Sequence, residues 1–224
     1  MSSAATGPLA TFIGDVVGSR ESADRQAVHD ALRDALGEVA GLDGVVDPGR
    51  ITVGDEFQGS MSDLGGALVA TRRLRLALLP HVDVRIGLGW GEVSTLDEET
   101  RDGPAWWAAR EAIDWVKATQ AKGATTHVRT AYRRAPRDVD GEVTDSGPDQ
   151  AAVTAALLCR DQLLGALDER DLRLLTGLLG GRSQRDLADQ EAVSPSAVSQ
   201  RVRSGGLGVL LVAEAELARV GASG

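Results

Sequence analysis

The chain predicts an α/β sandwich followed by a small all-helical unit, and three observations carry that prediction. Short apolar runs of strand length alternate with amphipathic helical stretches in the first two thirds of the sequence. The segment "ITVGDEFQG" interrupts that alternation with a hairpin signal, which makes the sheet mainly antiparallel. From Gln150 onward strand signals stop and helical periodicity takes over. The expected organisation is an α/β (α+β) domain over residues 1–149, ending in a linker, and a helical domain over 150–224.

Taken in order, "LATFI" (Leu9 to Ile13) is a buried strand bounded by Pro8 and Gly14. After the break "GDVVGSR", the apolar positions Ala27, Val28, Ala31, Leu32, Ala35, Leu36 and Val39 fall at helical spacing, with Ser22 as the expected N-cap. "RITV" and "EFQG" pair through Gly54-Asp55, glycine standing first as a type II′ turn requires. "LGGALVATRRLRLALL" is a second helix and "VDVRIGLGWGEVST" a glycine-punctuated strand. "PAWWAAREAIDWVKATQA" is a third helix, with Pro104 in its first turn where the missing N–H costs nothing. Residues 124–149 add a strand near Val128–Tyr132 and then run into Asp, Gly and Pro, the composition of a boundary. "AAVTAALLCRDQLLGAL", "ERDLRLLTGLL", "SQRDLADQ", "SPSAVSQRVRSGG" and "LGVLLVAEAELARV" supply the later helices.

Composition narrows the class. The chain of 224 residues is 42% hydrophobic and 25% charged, enough for a real core, and its 3% aromatic content makes that core aliphatic. Net charge is -9, which argues against a basic coat for nucleic acid. Residues 1–149 hold 16 Lys and Arg against 24 Asp and Glu, whereas residues 150–224 hold 8 against 9. A DNA-binding face therefore belongs in the second part, where repulsion from phosphate is weakest. The single cysteine, Cys159, forbids an intrachain disulfide and reads as a buried small hydrophobe. No secretory leader and no apolar run near ~18 residues is present, so the expectation is a cytoplasmic protein with no membrane partner.

"GGRSQRDLADQEAVSPSAVSQRVRSGG" has the layout of a helix-turn-helix. Ser183 and Asp186 form a capping-box pair, Leu187 and Ala188 face inward, and Ser194-Pro195 caps and opens a second helix. Ala197, Val198 and Val202 line that helix's inner side and leave Ser196, Ser199, Gln200 and Arg203 pointing out. Gln suits an adenine edge, Arg suits guanine, and Arg182, Arg185 and Arg201 suit phosphates. An ordinary helical hairpin is the other reading, and Asp186, Asp189 and Glu191 oppose DNA. "RSQRDLADQEAVSPSAVSQRV" resembles bacterial helix-turn-helix regulators, which implies DNA as a partner.

In the first part, Asp15 ends a strand and Asp55 sits at a hairpin tip, positions that an antiparallel sheet can bring side by side. Two carboxylates so placed can hold Mg²⁺ or Mn²⁺ while a triphosphate completes the shell. Gly14, Gly18 and Ser19 free backbone N–H groups to approach phosphate. Ordinary solvated turns use the same residues, and both readings stand at this point. Of the tryptophan pair, adjacent helical positions diverge by about 100°, so one is buried while the other meets a subunit interface or stacks on a base near Arg110. The three histidines show no metal-ligand spacing.

"FIGDVVGSR", "ITVGDEFQG", "VRIGLGWGEV" and "DGPAWWAAREAI" resemble, in order and spacing, motifs of class III nucleotidyl cyclase domains, and the GGDEF-type cyclases share the hairpin. As a set they resemble the SatD family still more closely. The resemblance implies a ferredoxin-like sheet, Asp15 and Asp55 as metal carboxylates, a nucleotide or cyclic nucleotide ligand touching Trp106 and Arg110, and a homodimer. One departure matters: where such cyclases carry Asn four residues before the helix Arg, this chain has Trp106. Loss of one transition-state donor commonly costs about 10²–10³ in rate, so the implied role is ligand binding that regulates transcription, without catalysis. An active metal-dependent nucleotidyl cyclase, or another nucleotide-converting enzyme, is the rival reading.

Overall fold

The computed structural model describes residues 5–19, 24–79, 81–95, 101–139, 142–145 and 147–221. Its sheet runs β1 (Ala5–Val16), β2 (Val45–Ile51), β3 (Glu56–Met61), β4 (Val84–Thr95), β5 (Arg101–Asp102) and β6 (Thr130–Arg134). The helices are α1 (Arg25–Val39), α2 (Leu64–Leu78), α3 (Pro104–Gln120), α4 (Gln150–Gly165), α5 (Glu169–Leu179), α6 (Gln184–Gln190), α7 (Pro195–Ser204) and α8 (Leu207–Leu217). Strand order is β2-β3-β1-β4-β5, and β6 adds to β4 in parallel. The result is a mixed α/β fold with a mostly antiparallel sheet and, among the described residues, eight α-helices.

Alternation along β1 assigns the two faces of the sheet. Ala10, Phe12 and Val16 join Leu32 and Leu36 of α1 and Leu68 and Leu74 of α2 in one core. Leu9 and Ile13 point the other way, onto Trp106, Ala109 and Ile113 of α3. The glycine punctuation of β4 now has a cause. A methyl on Gly87 would lie 2.2 Å from Ala109 O, and one on Gly89 would lie 2.0 Å from Ala105 O. Both glycines therefore let α3 lie directly on the strand, and Thr11 fastens it by donating to Ala105 O at 2.8 Å.

Several local expectations meet the structure directly. Gly54 has φ +66° and Glu56 N–H donates to Val53 C=O, which closes the hairpin turn with glycine first. The structure moves the first cap: Asp24, not Ser22, caps α1 by accepting from Ala27 N at 2.9 Å, and Ser22 lies outside the described residues. β2 starts at Val45, well before Arg50, because an edge strand tolerates Pro48, whose absent N–H has no ladder partner to lose. Within the expected linker, β6 is followed by a small hairpin of β7 (Pro136–Val139) and β8 (Glu142–Asp145).

The later helices do not stand apart from the sheet. Val153 and Leu157 of α4 and Leu217 of α8 belong to the same core as α1 and α2. A second core gathers Leu174, Leu187, Ala188, Val198, Leu207 and Leu210, and Leu76 of α2 enters it. Fully buried Asp161 of α4 accepts from Arg75 Nη1 at 2.7 Å and from the backbone N–H groups of Arg129 and Thr130 at 2.8 and 2.6 Å. Glu214 of α8 meets Arg72 of α2 at 3.3 Å and Arg160 of α4 at 3.8 Å, all three buried. Buried charges persist only when paired and hydrogen-bonded, so this network holds α4 and α8 against α2 and β6. Cys159 is exposed, not the buried small hydrophobe that the sequence predicts. The inward positions of α4 are Val153, Leu157, Arg160, Asp161 and Leu164, and the uniformly apolar run around the cysteine concealed that face.

Candidate functional site

The end of the sheet at which β1 stops and β3 and β4 begin collects most of the charged residues of interest. Pairing puts Asp15 opposite Glu56 on one side and Arg85 on the other. Asp15 and Glu56 project toward α3, whose face carries Arg110 and, two turns on, Lys117. Asp15 Oδ1 accepts from Arg85 Nη1 at 3.0 Å and Oδ2 from Lys117 Nζ at 2.7 Å. Gln120 steadies Arg85 by accepting from its Nε. Glu56 takes both prongs of the Arg110 guanidinium, at 2.7 and 2.8 Å. That hydrogen-bonded pairing holds the Glu56 carboxyl below its ordinary value of 4.5 against the opposing effect of partial burial.

On the other side of the hairpin lies a cleft of about 480 Å³ between the start of α1 and the β2–β3 turn. Ser19, Arg25, His29, Gly54 and Asp55 supply its polar lining, and Val28, Leu32 and Val53 its apolar wall. The volume falls within the range of small-molecule sites, about 300–1,000 Å³. Asp55 makes no hydrogen bond or ion pair to any described residue, which sets it apart from Asp15 and Glu56. Thus Ser19 and Asp55 do meet in a cleft, while Asp15 and Arg110 sit on the α3 side of the same sheet end. The described residues contain no group of three or more His, Cys, Asp or Glu placed to hold a metal ion.

Other predicted residues take structural positions. A Cβ on Gly14 would strike the Phe57 ring at 2.1 Å, so this glycine seats an aromatic core residue. Gly18 has φ +70° in an open turn, a conformation that favours glycine. Trp106 is only 6% exposed within the α3-side core, and its indole N–H has no hydrogen-bond partner among the described residues. Its neighbour Trp107 is 63% exposed and donates to Asp102 at 2.9 Å. Sequence reasoning missed Arg25, Arg85, His29 and Lys117. Lys117 lies seven residues after Arg110, a helical-face signal, whereas Arg85 meets Asp15 only through a pairing between strands far apart in sequence.

In the helical part, Ser194 Oγ accepts from Ala197 N at 3.2 Å and starts α7, as Ser183 accepts from Asp186 N at 3.1 Å to start α6. Between the helices Ala192 turns through a positive φ of 53°. Val198 is fully buried, while Arg182, Arg185, Ser196, Gln200 and Arg203 are exposed and Ser199 is half-buried. Arg201 differs from the others. It ties α7 to the start of α5 through Asp168 and Asp171, at 2.9 and 2.6 Å. Glu191 is bound by Arg173 through both oxygens, and Asp186 accepts from Ser183 Oγ.

The SatD family model matches residues 9–219, and the chain belongs to the SatD family. No curated protein matches it. Among solved structures, a bacterial light-regulated adenylyl cyclase superposes with TM-score 0.44 at 14% identity, covering 59% of this chain and 44% of that one. The chain thus spans less than half the length of that cyclase. A regulator of polyketide synthase expression from Bifidobacterium adolescentis superposes with TM-score 0.29 at 16% identity, covering 96% and 86% of the two chains. Likenesses this distant do not bear on activity. Among the described residues, no helix is long and apolar enough to cross a membrane.

Proposed function

We propose that this SatD-family chain is a DNA-binding transcriptional regulator whose α/β part takes a phosphate-bearing nucleotide as its effector. The observation that carries the reading is the surface of α7. Ser196, Gln200 and Arg203 are exposed at spacings of four and three, on one face of a helix whose opposite side is anchored by Val198. Such a face is what a recognition helix offers to base edges, with Arg182 and Arg185 alongside for phosphates. One of the three local acids, Glu191, is paired with Arg173, which lowers its repulsion of DNA. The effector's place is the cleft by α1. Its apolar wall suits a base or sugar, and Arg25, His29 and Ser19 suit a phosphate. As a homodimer, the chain would present two α7 helices, and the effector would alter their spacing.

The enzyme reading is the weaker one. Arg110, which a cyclase would aim at the transferred phosphate, has its fork filled by Glu56, and position 106 holds a buried indole. The test is selection of duplexes from a random pool, followed by anisotropy titrations of wild type, Gln200→Ala and Arg203→Ala over a range of salt. Specific, salt-dependent binding that Gln200→Ala and Arg203→Ala weaken is the expected result. No enrichment of any duplex, or binding indifferent to both substitutions, would overturn the DNA assignment.

A further inference from the structure

We infer that Lys117 is a built-in cation, filling on Asp15 the position that a divalent metal would need, so that the neighbouring cleft binds its anionic ligand without magnesium. A metal at either Asp15 or Asp55 would need free carboxylate oxygens there. A carboxylate that ligates Mg²⁺ must offer a lone pair at about 2.0–2.1 Å to the ion. Asp15, whose side chain is 13% exposed, already gives Oδ1 to Arg85 and Oδ2 to Lys117. Glu56 beside it gives both oxygens to Arg110. Of Asp15, Glu56 and Asp55, only Asp55 has no partner among the described residues. A divalent ion reaching Asp15 would also face Lys117 and Arg85 at contact range, where like charges repel most strongly.

The arrangement is specific rather than incidental. Lys117 lies on the α3 face that also presents Arg110, and α3 is held onto β4 by the close approach at Gly87 and Gly89. The ammonium is therefore delivered to Asp15 by a rigid element, while its partial exposure of 40% lets it be substituted without opening the core. Removing it should free Oδ2 of Asp15, the lone pair that a divalent ion at this end of the sheet would need. The ligand part of this inference rests on the nucleotide reading, but the cation part does not.

Manganese alone tests the cation part, by electron paramagnetic resonance of free Mn²⁺ over wild type, Lys117→Met, Lys117→Gln and Asp15→Asn/Lys117→Met. Wild type should show no site that depends on Asp15. Both single variants should gain one at least about tenfold tighter than any wild-type binding, and the double variant should lose it. An Asp15-dependent manganese site in wild type overturns the inference, and so does the absence of any gain in both Lys117 variants. Calorimetry with ATP and GTP then tests the ligand part. Wild-type affinity should be the same in EDTA and in Mg²⁺, and that of Lys117→Met should depend on Mg²⁺. Wild-type binding that requires Mg²⁺ overturns it. If neither nucleotide binds wild type in either condition, the nucleotide reading fails while the manganese result still decides the role of Lys117.

Discussion

Replacing Asp161 by alanine should destabilise the whole chain, and the structure allows the size to be worked out. The carboxylate is fully buried and serves Arg75 Nη1, Arg129 N and Thr130 N at 2.6–2.8 Å. Its loss leaves two backbone donors without acceptors, each costing about 1–3 kcal/mol when buried. Arg75, 2% exposed, keeps Asp83 through two hydrogen bonds, so its charge is only half-abandoned. Breaking a buried pair from one side costs about 3–5 kcal/mol, and that range is the expected total, since the donors overlap with the pair. For a chain of this length about 2–4 °C is lost per kcal/mol, so the melting temperature should fall by roughly 10 °C. Urea and thermal melts followed by circular dichroism measure it. Because α4 contributes Val153 and Leu157 to one core and Leu164 to the other, the sheet and the helices should melt together. A loss within about 0.5 kcal/mol, the range of ordinary surface substitutions, would refute the reasoning.

Further outcomes follow from single contacts. Gly89→Ala drives a methyl into the α3 backbone at Ala105 O. Rigid overpacking of this kind costs about 1–3 kcal/mol or more, to be read as a lower denaturation midpoint. Arg201→Ala should loosen α7 from α5, lowering the melting temperature, yet leave the salt dependence of DNA binding unchanged, because this arginine is spent on Asp168 and Asp171. Acid should destabilise the protein through Glu56 and Asp83. Asp83 is held below its ordinary 3.8: burial would raise it, and the Arg75 and Arg129 guanidiniums outweigh that. Arg110 lowers Glu56 from 4.5. Carboxyls depressed in the folded state contribute stability that is full above their unfolded values and is lost as pH falls through the folded ones. Melts from pH 7 down to 3 should show a decline beginning only below about pH 4.5, smaller in Glu56→Gln than in wild type.

How much of this was legible depended on whether the deciding interaction was local. The hairpin at Gly54, the proline opening of α3 and the caps at Ser183 and Ser194 are set within four residues, and the sequence declares them. Pro48 hid most of β2, because whether a proline can lie in a strand depends on that strand being an edge, which only the assembled sheet decides. The apolar run of α4 hid its inner face and with it the exposure of Cys159. At the site, Asp15 and Asp55 were visible as acids in turns, but their partners were not. Arg85 reaches Asp15 through strand register and Lys117 through the seating of α3 on Gly87 and Gly89. Both are long-range consequences of packing. Trp106 drew notice as a rare residue, and its burial against Leu9 and Ile13 depends on the same packing.

The proposed coupling between the effector cleft and the DNA-reading helix rests on one packed chain, in which buried Asp161 and Glu214 hold α4 and α8 against α2 and β6. Its most direct test is the affinity of the wild-type protein for a selected duplex, titrated by anisotropy with and without each nucleotide that calorimetry shows to bind. The expected result is a shift of about fivefold or more, the lower end of ordinary coupling between sites, which Arg25→Ala in the cleft removes while basal DNA affinity stays. A nucleotide that binds in the cleft yet leaves DNA affinity unchanged would contradict it.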